Sequence, residues 1–140
     1  MLYYIKKAGG VVATMSNNID IEIKKLEDVT VVAFNSASIC EVAGIEKVSA
    51  QIKQFIADDR PNKMVIDFTQ VKFFTSQVLG LLLDIWRKLQ AGGGEVVISG
   101  INPQLHRVFK ITNLDKIFRF FPDSESALKA FDINTQTREG

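Results

Sequence analysis

A chain of 140 residues, 46% apolar and 24% charged, has the length and composition of one ordinary globular domain. Its net charge of +1 gives no drive towards nucleic acid or an anionic membrane surface. The single Cys40 excludes an internal disulfide or thiolate cluster and fits a reducing cytoplasm, and the single His106 excludes a two-histidine metal site. No apolar run approaches the length needed to cross a bilayer.

The predicted elements follow in chain order. Residues 1–18 read as a flexible arm. Two lysines precede no long apolar core, so the arm is a poor signal peptide. Codons for Ala8-Gly9-Gly10 could hide a ribosome-binding sequence, which makes Met15 a plausible true start. Ile19, Ile21 and Ile23 alternate with polar residues and predict a half-buried strand ending at Leu26. Glu27-Asp28 turns the chain into a second, valine-rich strand over Val29 to Phe34. Asn35 to Ser38 reads as a loop. Ile45, Val48, Ile52, Phe55 and Ile56 fall at helical spacing and predict a helix from Val42 to Ala57, broken by Asp58 to Asn62. Met64 to Asp67 is a buried strand, and Phe73-Phe74 a second short apolar piece.

A strongly apolar helix follows from Gln77 to Ala91, with a narrow polar stripe of Gln77, Gly80, Asp84, Arg87 and Lys88. It carries more apolar surface than one sheet face needs, so Val78, Leu81 and Ile85 are expected either to dock a partner or to be buried under the hairpin or the last helix. Gly92-Gly93-Gly94 stops the helix before a strand over Glu95 to Ser99. Pro103 suits the first turn of a helix reaching Ile111. Ile117 to Phe121 is the expected last strand, and Pro122-Asp123-Ser124 starts a short helix ending near Phe131. The order β-β-α-β-α-β-α-β-α predicts an α/β domain over 19–133, with a mostly parallel sheet, an N-terminal hairpin and about four helices. Residues 134–140 read as a loose tail.

Ser76 stands between the apolar piece Phe73-Phe74 and the helix at Gln77. A serine there is a natural N-cap, because its oxygen can accept from the first free helix amides. It also places a hydroxyl where open α/β sheets carry their sites. No catalytic base lies near it in sequence, so the hydroxyl reads as a target for modification more than as a nucleophile. The plain alternative is a cap worth about 1 kcal/mol. Gly80, inside so strong a helix, suggests close approach of a partner.

With this order and motif the chain resembles the STAS domain, the fold of bacterial anti-sigma-factor antagonists, from roughly Ile19 to Phe131. The family's Asp-Ser-Ser-Gly-Leu-Gly segment is matched by Thr75-Ser76-Gln77-Val78-Leu79-Gly80. Gly93-Gly94, Asn102-Pro103, Thr112-Asn113-Leu114 and Phe118 match further family positions in the same order. The resemblance implies phosphorylation at Ser76 by a partner that is both kinase and anti-sigma factor. It implies that the unphosphorylated protein binds that partner, through a surface assigned here to Thr75, Ser76, Gln77, Gly80 and Asp84. Thr75 departs from the usual Asp, and Gln77 and Val78 replace Ser and Gly. The family's acidic residue after the second strand has Cys40 or Glu41 as its nearest counterpart.

The remaining features read as structural. His106 is expected at the surface or in packing, Cys40 as a small buried hydrophobe, and the five Phe residues from Phe109 to Phe131 as core. Gly92 to Gly94 follow a helix, so they are no phosphate loop. The expected function is a non-enzymatic, cytoplasmic, protein-binding regulator with no metal, cofactor or nucleic-acid partner; a weak homodimer stays open. The alternatives are a STAS module binding a nucleotide or lipid, and a phosphorylation-independent scaffold.

Overall fold

Residues 19–131 are described by a computed structural model. The expected arm, the Met15 start and the 134–140 tail lie outside these residues.

Strands β1 (Ile21–Leu26) and β2 (Val29–Phe34) form the predicted antiparallel hairpin. Glu27 takes a positive φ of 57° in its tight turn. Next come β3 (Ser38–Ile39), α1 (Val42–Asp59), β4 (Lys63–Asp67), β5 (Phe73–Phe74), α2 (Gln77–Ala91), β6 (Glu95–Ser99), α3 (Pro103–Ile111), a 3₁₀ turn (Leu114–Lys116), β7 (Arg119–Phe121) and α4 (Ser124–Ala130). The main sheet has the order β1-β2-β4-β6-β7, and every pair after the hairpin is parallel.

The sheet is buried on both faces, which is why its central strands read as continuous apolar runs rather than as alternation. On one face, Val32, Ile66 and Ile98 lie in register and pack beneath α1, α2 and α3. On the other, Val29, Val31, Val65 and Val97 pack with Ala127 of α4 and with Phe131, which follows it. Phe34, Phe68, Phe74, Phe109 and Phe118 form a chain of ring contacts through the larger core, with centroids 5.2–6.1 Å apart. The expectation that the late phenylalanines pack inward holds for Phe109, Phe118 and Phe131.

Several expectations are corrected. The apolar surplus of α2 is no docking face: Val78 and Ile85 have no exposure, and Leu81 only 4%. Helix α2 packs against α1 as well as the sheet, so it buries two sides, and its cover is α1 instead of the expected hairpin or last helix. Cys40 is exposed, not buried. Ile39 points into the core, and the side chain that follows in an extended chain points the other way. The last strand begins at Arg119, because Asn113 is left-handed and the next residues close a 3₁₀ turn through Ile117. Ser38 and Phe73, read as loop and isolated apolar piece, belong to a separate two-stranded parallel sheet, β3-β5.

Candidate functional site

The small sheet positions the motif. Ser38 pairs with Phe73 and Ile39 with Phe74, so the chain leaves β3 and β5 side by side. Lys72 N and Phe73 N donate to Ala37 O at 2.8 and 3.1 Å, and Thr75 N donates to Ile39 O at 3.2 Å. Cys40-Glu41 therefore leads into α1 next to the point where Thr75-Ser76 leads into α2. Asn102 ties the corner to α3: its side-chain amide donates to Lys72 O at 3.3 Å, while its Oδ1 accepts from Leu105 N at 2.8 Å.

Ser76 itself departs from the expected geometry. Its backbone is already helical, at φ −62° and ψ −17°, and its side chain makes no capping hydrogen bond. A capping serine has extended dihedrals that swing its oxygen over the helix end. Here the helix starts with tight backbone turns, Val78 N to Thr75 O and Leu79 N to Ser76 O, both at 3.0 Å. The Ser76 hydroxyl is left exposed, with no hydrogen bond among the described residues. Thr75 behaves in the opposite way. Its Oγ1 is sealed from solvent and has no hydrogen-bond partner among the described residues. Of the two adjacent hydroxyls, only that of Ser76 is open to an incoming reagent.

Gln77 and Gly80 are also exposed, on the outer side of α2. A Cβ added at Gly80 would meet nothing within 4 Å, so this glycine leaves open surface and is not demanded by internal packing. Gly80, Gln77, Leu81 and Asp84 line a groove of about 580 Å³ whose other wall is α1, through Glu46, Ser49 and Lys53. Asp84 is less free than the other predicted contact residues. It bridges Lys53 of α1 at 3.1 Å and Arg87 at 3.5 Å. These are surface pairs worth a fraction of a kcal/mol each, but they fix the rim of the groove.

Two apolar residues at this corner were not singled out from sequence. Phe73 is 53% exposed, three residues before Ser76, and Val42 is 48% exposed at the first position of α1. Strand alternation offered the signal for the first: of Phe73 and Phe74 only one can face the core, and it is Phe74. Val42 gave no such signal, because helix periodicity does not say which end residues are covered.

His106 packs edge-on against Phe120 with ring centroids 4.6 Å apart, as a packing residue. No group of three or more metal-ligating side chains occurs among the described residues, and no helix among them is long and apolar enough to cross a membrane. The site is thus a partly apolar, open surface around the exposed Ser76 hydroxyl.

Comparison with known proteins gives the class. The STAS domain family matches residues 20–127, and the chain belongs to that family. It is 24% identical over 88 residues to an anti-sigma F factor antagonist of Paenibacillus polymyxa, across 63% of this chain and 75% of that protein. The crystal structure of an anti-sigma factor antagonist from Mycobacterium paratuberculosis superposes with a TM-score of 0.71 at 26% identity, over 84% of this chain and 97% of that one. The Bacillus cell fate determinant SpoIIAA in its phosphorylated form shares the fold, with a TM-score of 0.62 at 18% identity, over 79% of this chain and 99% of that one.

Proposed function

We propose that this protein is an anti-sigma-factor antagonist, a cytoplasmic regulator of transcription that acts by binding a partner and is switched by phosphorylation of Ser76. The partner is an anti-sigma factor with serine kinase activity. The observation that carries the reading is the Ser76 hydroxyl: exposed, free of any hydrogen bond among the described residues, and set at the start of α2 beside the exposed Phe73 and Gly80. The relatives support it, being antagonists of anti-sigma factors, one of them known in a phosphorylated form.

The physics of the switch is local. Phosphate adds about −1.5 to −2 charges at pH 7. At the first turn of α2 the free amides and the helix dipole tolerate that charge, so the domain need not unfold. A partner packed over Phe73, Ser76, Gln77 and Gly80 meets a dianion that it must desolvate, and binding is lost. Thr75 stands in place of the family's usual acidic residue, so the residue immediately before the acceptor carries no carboxylate.

The test uses the partner co-purified from native cells and then prepared pure. Ser76→Asp and Gly80→Arg are expected to lose binding by tenfold or more while keeping the wild-type melting temperature, and Ser76→Ala to bind as wild type. Equal binding by the Asp and Ala variants defeats the switch. Unchanged binding by Gly80→Arg moves the interface away from α2.

A further inference from the structure

We infer that the C-terminal end of α3 is a second docking surface, separate from the Ser76 corner, and that it takes an acidic segment of another protein carrying a bulky apolar side chain. The most exposed large hydrophobic among the described residues is Ile111, at 72%, against 53% for Phe73 and 48% for Val42. Helix α3 spends Leu105 and Phe109 on the core and leaves Val108 half-buried, so Ile111 projects from the last turn with Val108 one turn behind it. This is no frayed end. Thr112 Oγ1 donates back to Val108 O at 2.8 Å, and Asn113 closes the helix in the left-handed conformation at φ 65°. Ile111 is held outward by a well-formed terminus.

Charge says what covers it. Residues 102–118 contain Arg107, Lys110 and Lys116 against the single carboxylate of Asp115. All three cations are exposed. None of them is in an ion pair among the described residues, so the local excess of positive charge is not neutralised within the domain. The dipole at the end of α3 accounts for one cation in the last turn, Lys110, and not for the other two. An apolar side chain standing among unpaired cations is complementary to an apolar socket rimmed by carboxylates. A lipid surface is the poorer fit: binding in a bilayer interface needs a continuous apolar helix face, and α3 has turned that face inward. The start of α3 lies against the Ser76 corner through Asn102. Ile111 is nine residues further on, about 13 Å along the helix from that contact.

The full chain is used as bait for a random peptide display library at low salt. Recovered peptides are synthesised and titrated against isotope-labelled protein by NMR. The expected peptides combine two or more acidic residues with a large apolar one, weaken as salt is raised, and shift the amides of residues 107–116. Ile111→Glu and, separately, Arg107→Glu lose their binding by tenfold or more at unchanged melting temperature, and Ser76→Asp binds them as wild type does. That last arm keeps the result independent of the reading at Ser76. Recovery of no acidic peptide, shifts confined to residues 73–84, equal binding by Ile111→Glu, or co-sedimentation with phosphatidylserine vesicles in place of peptide binding would overturn the inference.

Discussion

Two helix starts in this domain look alike in sequence and differ in structure. Asn102-Pro103 and Thr75-Ser76 each set a small polar residue before an apolar helix. Asn102 is spent on the fold: extended backbone, Oδ1 on Leu105 N, amide on Lys72 O. Asp123 before α4 does the same with Ser126 N at 2.8 Å. Ser76 does none of this. A residue whose polar atoms are all engaged cannot be altered without cost to the fold, and one whose hydroxyl is free can be modified and read by a partner while the domain stays folded. The contrast extends to the neighbouring loops. The turn into α3 is packed so closely that a Cβ at Gly100, where φ is +70°, would sit 2.9 Å from Asp67 Oδ1 and 3.0 Å from Thr69 N. The surface of α2 at Gly80 is open.

The largest expected effect breaks the engaged corner. Gly100→Ala combines left-handed strain with a collision against the Asp67–Thr69 turn, and should cost about 2 kcal/mol or more. In a chain of this size that lowers the melting temperature by roughly 6 °C or more. A melting temperature within a degree of wild type would mean that the turn is looser than described.

Next comes Asn102→Ala, which removes a cap and a tether and should cost about 1–2 kcal/mol. Ser76→Ala should stay within about 0.5 kcal/mol, as for a surface residue without a structural bond. Denaturant melts of the two variants side by side test the comparison directly, and a loss of about 1 kcal/mol in Ser76→Ala would restore the capping role that sequence suggests. Thr75→Val sharpens it further. It exchanges an unpartnered buried hydroxyl for a methyl of similar shape, so stability should hold or rise by up to about 1 kcal/mol.

The smallest effect is at the third helix start. The backbone N–H of Ser126, and then its hydroxyl, hold the Asp123 carboxyl below its ordinary 3.8. Because the folded value is the lower one, the unfolded chain takes up the proton first as pH falls. The contribution is complete above the unfolded value and disappears as pH drops through the folded one. Asp123→Asn should flatten that part of the acid limb, from the ordinary carboxylate range downward. An unchanged acid profile would show the cap to be open in solution.

Much of this was legible in the chain. Periodicity and valine-rich runs located the main sheet and the four helices, because burial on a fixed side of a helix or strand constrains every turn of it. Asn102-Pro103 was readable as a helix start because proline fixes φ and asparagine has one good use there. The capping state of Ser76 was not, since serine suits both a capped and an uncapped start, and the choice is made by how β5 is pinned to β3 through Thr75 N and Ile39 O. The surplus apolar side of α2 was misjudged for a related reason: its cover, α1, lies remote in sequence. Cys40 directly follows a two-residue strand too short to show a period, and Phe73 had only its neighbour Phe74 to mark its side.

The most direct measurement is phosphosite mapping by mass spectrometry after incubating the protein with its cognate anti-sigma kinase and ATP. The account predicts one phosphate per chain, on Ser76, none on the sealed hydroxyl of Thr75, and none in Ser76→Ala. Phosphate on Thr75, or an unmodified chain beside a kinase active on its own antagonist control, would contradict it.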